Sequence, residues 1–144
     1  MAEVIHPEEK LITIEVGDLL PKVMRLKKDG MRLSQACAAY IDEKFELSYS
    51  FADDVTYQYT TLRLVIDPDT DVPSITEVVP AAVFYENEMK ELFGVKIRMI
   101  SVDYKNKLYR IKEEQPLGPE KEAAADRKKK EAAEKKGEGE EKDG

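Results

Sequence analysis

The sequence predicts an α+β protein, folded as a two-layer sandwich of a mostly antiparallel sheet with helices on one face, plus a charged C-terminal tail. Two central stretches, residues 44–51 and 56–66, have the alternation or the β-branched and aromatic content of strands. Apolar residues recur at helical spacing on either side, around residues 19–29 and 81–92. Because the strands cluster between the helices along the chain, we expect the helices to pack on one face of the sheet.

The first quarter of the chain predicts a strand and a helix. "LITIEV" (residues 11–16) alternates in the manner of a strand. After Gly17, apolar residues return every three or four positions, which predicts a helix that ends at Gly30. Those apolar residues are Leu19, Leu20, Val23, Met24 and Leu26. Residues 31–42 fit neither period clearly, and we interpret them as an extended segment.

The middle of the chain predicts two neighbouring strands. Residues 44–51 alternate between apolar and polar side chains, which is typical of a strand with one buried face. Asp53 and Asp54 form the turn that follows, and residues 56–66 return as the next strand. Residues 67–73 predict a loop.

A second helix is predicted over residues 81–92. Ser74 and Glu77 form a capping-box pattern ahead of it. Pro80 suits its first turn, and Gly94 closes it. Two further stretches predict short strands, residues 95–102 and 106–111.

The domain occupies residues 1–118, and residues 119–144 form a tail of different composition. The tail has nine acidic and eight basic side chains, five alanines and no larger apolar residue. Opposite charges at positions i and i+4 favour a solvated helix, which Gly137 and Gly139 would end. The composition predicts a frayed helical or disordered tail, and a docking arm is the alternative.

Composition excludes several classes of protein. The net charge of −7 disfavours a nucleic-acid partner. A single cysteine, Cys37, excludes an internal disulfide and a cysteine-built metal or iron–sulfur site. We expect Cys37 to be a small core residue and the one histidine, His6, to be an ordinary surface residue.

The sequence carries no obvious membrane or export signal. No window approaches the roughly 18 consecutive apolar residues of a membrane-spanning helix, and the N-terminus lacks the pattern of a signal peptide. We expect a soluble cytoplasmic chain that reaches a membrane only through partners. Charged residues make up 37% of the chain, and their bias toward Glu and Lys is typical of thermophilic proteins.

The second helix carries three carboxylates, Glu86, Glu88 and Glu91, which we call the acidic motif. On a helical wheel the apolar residues form one stripe, which we expect to pack on the sheet. The stripe contains Ala81, Ala82, Tyr85, Met89, Leu92 and Phe93. Glu86 and Glu88 flank this stripe, and Glu91 lies on the far side with Asn87.

The far side of the helix also carries two apolar side chains, Val83 and Phe84, which predict a second contact face. Three functions are open for the acidic motif: acid–base chemistry, binding of a partner, or a solvated surface. Acid–base chemistry needs a cleft and usually a second functional group. The sequence has no Gly-rich phosphate loop, no nucleophile motif and no histidine–carboxylate metal spacing, so we predict no catalytic, cofactor-binding or metal-binding residues on this chain.

Residues 72–95, "VPSITEVVPAAVFYENEMKELFGV", resemble the signature of the C-type (30 kDa) subunit family of respiratory complex I, which also occurs in energy-converting, membrane-bound nickel–iron hydrogenases. The signature runs from a Pro-Ser-Ile-Thr cap to an acidic triplet and a Phe-Gly pair. The matching residues are Pro73, Ser74, Ile75, Thr76, Glu86, Glu88, Glu91, Leu92, Phe93, Gly94 and Val95. Asn87 stands where the family usually has arginine, and Phe84 where it often has tryptophan.

The order of elements extends the resemblance to residues 10–112. No His-Pro pair follows Gly94 here, whereas complex I versions usually continue through one into a longer basic region. The shortened form is more similar to the hydrogenase-type and related archaeal complexes.

The resemblance implies a non-catalytic subunit in the hydrophilic arm of a membrane-bound oxidoreductase, peripheral on the cytoplasmic side of the membrane. It favours an energy-converting nickel–iron hydrogenase that couples electron transfer to ion translocation. The implied partners are the large catalytic subunit with the nickel–iron site and the small subunit with iron–sulfur clusters, since this chain would hold no cofactor. The implied interface consists of Val83, Phe84, Glu86, Glu88, Glu91, Phe93 and Gly94.

Two alternatives remain open for the function. In one, the chain has the same role in a sulfur-reducing or quinone-reducing complex. In the other, it is a free-standing acidic protein-binding domain without a redox role. The carboxylates of the acidic motif would accept charge-assisted hydrogen bonds either from the large subunit or from this domain's own loops.

Overall fold

The computed structural model describes residues 7–140, and the side chains of residues 7–133. His6 therefore lies outside the described residues. Within the described range the regular elements are β1 (Lys10–Thr13), α1 (Leu19–Lys28), β2 (Arg32–Ile41), β3 (Lys44–Ala52), β4 (Tyr59–Ile66), β5 (Asp71–Pro73), α2 (Val83–Glu88), β6 (Lys96–Arg98) and α3 (Pro119–Glu140). Single 3₁₀ turns precede α1 and α2, at Val16–Asp18 and Pro80–Ala82.

The main sheet has the strand order β1-β4-β3-β2. β2, β3 and β4 pair antiparallel, while β1 pairs parallel to β4 at the edge. A two-residue turn, Asp42 and Glu43, joins β2 to β3, and both residues have positive φ angles of 51° and 61°, as the tightest hairpin turns require. β5 and β6 form a separate two-stranded parallel sheet. The α+β class and the mostly antiparallel sheet are thus confirmed.

The core fills the space between one face of the main sheet and the helices. β3 contributes its alternating apolar residues, as the sequence predicts, and β4 contributes a matching row. The buried sheet residues are Ala36, Phe45, Leu47, Tyr49, Phe51, Leu62, Leu64 and Ile66. Leu19 and Val23 of α1 and Ala82 and Met89 from the second helical segment close this core from above. The layers bury apolar area on one sheet face only, which is what the period-two pattern predicts.

The opposite face of the main sheet is polar. Ser48 and Ser50 of β3 lie there, and Arg63 of β4 makes a 2.6 Å ion pair with Glu46 across the strands. Cys37 of β2 is exposed on this face. The prediction that Cys37 is a core residue is wrong, because β2 is a regular strand in which Cys37 follows the buried Ala36 and so points the other way.

Three local predictions differ from the structure. The loop predicted at residues 67–73 contains the short strand β5, which pairs with β6. The strand predicted at residues 106–111 does not form. In the tail, α3 continues through Gly137 to Glu140 and is not ended by that glycine. Among the described residues, no helix is both long and apolar enough to cross a lipid bilayer.

Candidate functional site at the acidic helix

The acidic motif lies on a helical segment made of three parts. The 3₁₀ turn at Pro80–Ala82 leads into α2, and a π-helical turn at Met89–Phe93 continues it. Gly94 then ends the segment with a φ of 81°, in the left-handed region that glycine adopts without strain. The predicted helix is therefore confirmed, although its last turn is wider than an α-helical one.

Glu86 is fully buried, whereas the helical wheel places it beside the apolar stripe. Its carboxylate accepts hydrogen bonds from the Ser74 hydroxyl at 2.5 Å and from the Ile75 backbone N–H at 2.7 Å. Ser74 is thus occupied by Glu86 and caps no helix, so the predicted capping box with Glu77 is wrong. The two halves of the sequence signature, the Pro-Ser-Ile-Thr cap and the acidic motif, bind each other in space.

The contact between Glu86 and Ser74 extends into a short chain of hydroxyl groups. The Ser74 hydroxyl lies 2.7 Å from the Thr76 hydroxyl. The oxygen of Thr76 accepts hydrogen bonds from the backbone N–H of Ser101 at 2.9 Å and from its hydroxyl at 2.8 Å. One buried network therefore connects α2, the segment after β5 and the segment after β6.

Burial governs the protonation of this network. It raises the pKa of Glu86, and the hydrogen bonds from Ile75 and Ser74 oppose that rise only in part. Burial chiefly, and the nearby Glu86 carboxylate in addition, raise the pKa of Tyr49 well above its usual range. The Tyr49 hydroxyl has no hydrogen-bond partner among the described residues. Within this part of the chain, the buried Tyr49 hydroxyl is thus an unpaired polar group near the Glu86 carboxylate.

The outer side of the helical segment is covered by residues 101–112, which we call the strap. Asn87 holds its first half. The Asn87 side-chain amide donates to the Val102 carbonyl at 2.9 Å and to the Val83 carbonyl of its own helix at 2.7 Å. Its side-chain oxygen accepts the backbone N–H of Tyr104 at 2.9 Å. Both the amide nitrogen and the side-chain oxygen of Asn87 are therefore hydrogen-bonded to backbone groups of the same chain.

Glu91 holds the second half of the strap. Its carboxylate accepts the backbone N–H groups of Leu108 at 3.0 Å and Tyr109 at 3.3 Å. Glu91 does point away from the sheet, as the wheel predicts, but it is only 4% exposed because the strap covers it. These bonds also explain the absence of a strand at residues 106–111, since the backbone N–H groups of Leu108 and Tyr109 are bonded to the Glu91 side chain.

Two further contacts lie at the rim of the strap. The Tyr109 hydroxyl donates to the Glu88 carboxylate at 2.8 Å, and this bond raises the pKa of Tyr109. Lys90 pairs with Asp103 at 2.7 Å, and its hydrogen bond lowers the pKa of Asp103. Because these groups are partly exposed to solvent, each contact adds little stability compared with the buried bonds of Asn87 and Glu91.

The outer surface of the helix and the strap carries exposed aromatic side chains. The Phe84 ring stacks on that of Tyr104 with centroids 6.2 Å apart, and Phe84 remains 58% exposed. Beside Glu91, an open polar pocket of about 440 Å³ lies between the strap and residues 113–115. In the described part of the chain, no cluster of three His, Cys, Asp or Glu side chains is arranged to hold a metal ion.

The seven residues of the predicted interface do not share one environment. Glu86 and Glu91 are buried, Phe84 is exposed, and Val83, Glu88, Phe93 and Gly94 are half-buried. Their contact with a partner stays a prediction. On the side of the helix where the sequence predicts a second contact face, Asn87 and Glu91 bind the chain's own strap. An intermolecular contact at Val83 and Phe84 stays a prediction. Sequence reasoning missed the strap because its contacts join side chains to backbone groups, which leave no periodic pattern.

Comparison with known proteins agrees with the signature. A family model described as "Respiratory-chain NADH dehydrogenase, 30 Kd subunit" matches residues 12–103. This range includes the second half of β1, all of β2 through β6 and the first part of the strap. The match therefore covers both halves of the Glu86 network.

Individual relatives carry a corresponding description. The chain is 28% identical over 126 residues to the C-type subunit of NADH-quinone oxidoreductase from Chelativorans sp. (strain BNC1), covering 76% of this chain and 62% of that protein. It is 32% identical over 80 residues to the protein of the same name from Ruegeria pomeroyi, covering 51% of this chain and 40% of that protein. The chain thus spans less than two thirds of the length of these relatives.

A solved structure shares the fold. It is a chain from the membrane-bound sulfane sulfur reductase, an archaeal respiratory membrane complex, with a TM-score of 0.63 and 19% sequence identity. The match covers 81% of this chain and 73% of that chain. At this identity the likeness concerns the fold.

Proposed function

We propose that this chain is a structural subunit of a complex I-like, membrane-bound oxidoreductase. The chain belongs to the family of the 30 kDa subunit of respiratory-chain NADH dehydrogenase. The family model covers residues 12–103, which include the whole signature. In this role the chain would lie at the membrane through partner subunits, and electron transfer would take place on those partners.

The internal use of the signature supports a structural role. Glu86 and Glu91, its two buried carboxylates, are bonded to backbone and hydroxyl groups of the same chain. Both are bonded to donors that hold neighbouring segments in place, and Glu91, although it borders the open pocket, is only 4% exposed. In this role the signature residues would stabilise the surface of the chain on which a partner subunit docks.

The finer proposal concerns the kind of complex. No His-Pro pair follows the signature within residues 95–144, and this favours an energy-converting nickel–iron hydrogenase. Its nickel–iron site would be on the large subunit and its iron–sulfur clusters on the small subunit, with this chain peripheral on the cytoplasmic side. A sulfur-reducing complex is the second candidate, since a chain of the archaeal sulfane sulfur reductase has the same fold.

Affinity purification of the full chain from its native membranes tests the proposal. A tagged chain, extracted in a mild detergent, should be recovered with a large subunit and an iron–sulfur subunit at equal stoichiometry. About one nickel per complex and hydrogen-dependent dye reduction would support the hydrogenase, whereas sulfur reduction without nickel would support the second candidate. Recovery of the chain without any iron-containing subunit would contradict the proposed function and favour a free-standing binding domain. The untagged strain is the control for nonspecific recovery.

A further inference from the structure

We propose that the outer surface of the strap is a docking site for an acidic face of a partner protein, and that the acidic motif positions this surface from behind. The inference rests on the proposed function, because the partner is taken to be a subunit of the same complex. It differs from a direct contact through Glu86, which is buried against Ser74 and Ile75, or through Glu91, which is buried under the strap.

The strap has the opposite charge to the chain as a whole. It contains four cationic side chains, Lys105, Lys107, Arg110 and Lys112, and one carboxylate, Asp103, whereas the full chain has a net charge of −7. All four cationic side chains are exposed. Within residues 7–133, none of them lies within salt-bridge distance of a carboxylate of this chain, although Asp103 is paired with Lys90. This local excess of positive charge is available to a complementary surface.

Apolar groups lie among these charges. Phe84 is 58% exposed and stacks on Tyr104, while Tyr109 and Ile111 are 43% and 44% exposed. Aromatic and arginine side chains with an apolar centre are typical of the energetically important part of a protein interface. Lys105, Lys107, Tyr109 and Ile111 also line one pocket beside Glu91, so the cationic and apolar groups belong to one surface. Glu113 and Glu114 line the same pocket, so the excess of positive charge belongs to the strap and not to the pocket as a whole.

The strap is held in one conformation before any partner binds. Asn87 and Glu91 engage its backbone at Tyr104, Leu108 and Tyr109, so these backbone groups face inward. Lys105 and Asn106 have positive φ angles of 53° and 59°, a left-handed conformation that asparagine tolerates and lysine rarely adopts. A preorganised surface loses less conformational entropy on docking.

The chemistry of the strap favours a protein partner over a polyanion. The overall charge of −7 repels nucleic acid and an anionic membrane, and the four cations of the strap are spread among exposed apolar groups. A locally acidic protein face with its own apolar patch would complement both the cations and the apolar groups of the strap. Anionic lipid is the competing ligand that the experiment must exclude.

Charge reversal on the full chain tests the inference in the native complex. The strap variant carries Lys105→Glu, Lys107→Glu and Arg110→Glu. The control variant carries Lys10→Glu, Lys22→Glu and Lys28→Glu, which change the net charge equally at exposed positions of β1 and α1. The strap variant should recover at least tenfold less partner from membranes, and the control variant less than twofold less, with the melting temperatures of both within a few degrees of the wild type. Equal recovery by the two variants would overturn the inference.

Zero-length cross-linking identifies the chemistry of the contact. In the purified wild-type complex, a carbodiimide should join Lys105 or Lys107 to Asp or Glu side chains of one partner subunit. Cross-links to the partner that arise only from other lysines of this chain would overturn the inference. If the partner so joined belongs to an assembly without any iron-containing subunit, the docking surface stands and the proposed function fails. If the wild-type chain recovers no partner, both fail.

Sedimentation with vesicles tests whether the strap binds anionic lipid, the competing ligand. The wild-type chain should remain in the supernatant with vesicles of 30% anionic phospholipid at physiological salt. Binding that the strap variant loses and the control variant keeps would assign the surface to lipid and overturn the protein partner.

Discussion

Replacing Glu86 by Ala and by Gln should give very different stabilities. Glu86→Ala leaves the Ile75 N–H without an acceptor, which costs about 1–3 kcal/mol, and removes buried volume at a further cost of about 1–2 kcal/mol. The Ser74 hydroxyl keeps its 2.7 Å contact with the Thr76 hydroxyl, in which either oxygen can be the donor. Glu86→Gln keeps an oxygen for Ile75 and places an amide donor against Ser74. We expect a loss of about 3 kcal/mol for Ala and less than about 1 kcal/mol for Gln.

The pH dependence of stability, compared between Glu86→Gln and the wild type, tests whether burial of the carboxyl group is the cause. Because burial raises the folded-state pKa of Glu86, the carboxyl adds most stability below its ordinary value near 4.5, and this contribution is lost as the pH rises through the folded-state pKa. The stability of Glu86→Gln relative to the wild type should therefore increase with pH over that window. Urea unfolding at a series of pH values measures both effects. Equal losses for Ala and Gln, or a Gln-to-wild-type difference that falls as pH rises, would refute the reasoning.

Three further changes test other parts of the structure. Asn87→Ala should lower the unfolding free energy by about 2 kcal/mol, because the Val102 carbonyl and the Tyr104 N–H lose their partner; urea unfolding measures this, and no change would mean that the strap is not anchored there. Gly94→Ala should cost about 1–3 kcal/mol, since an alanine at a φ of 81° is strained, and a neutral melting curve would exclude that conformation. Deleting residues 120–144 should shift the melting temperature by no more than about 3 °C, because the described side chains of that segment are exposed; a larger loss would place the tail in the fold.

The sheet could be predicted from the sequence wherever one strand face is buried. Residues 44–51 alternate because β3 packs one face on the core, and a buried face requires every second residue to be apolar. Residues 31–42 were ambiguous because the exposed face of β2 carries Ala and Cys in place of clearly polar residues. The parallel pairing of β1 with β4 could not be predicted, since strand direction leaves no mark on alternation.

The site could be predicted only in part, because helix periodicity describes one face of one element. The wheel gave the outward direction of Glu91 and Phe84 correctly. It could not give the strap, whose positions depend on side-chain-to-backbone hydrogen bonds across 15 to 18 residues. The burial of Glu86 likewise depends on contacts with the segment after β5. The sequence suggests a different role for Ser74, as the cap of a helix, and so does not reveal its bond to Glu86.

Amide hydrogen exchange at Leu108 and Tyr109 in the free full-length chain tests most directly whether the acidic motif is engaged inside the chain. Both amides should exchange slowly in the wild type and about 100-fold faster in Glu91→Ala, which corresponds to about 2.7 kcal/mol for the lost bonds to a carboxylate. Glu88→Ala is the matched control, since its carboxylate contacts the Tyr109 hydroxyl and its loss should leave both amides protected. Fast exchange of Leu108 and Tyr109 in the wild-type chain would contradict the structure and leave Glu91 free for a partner.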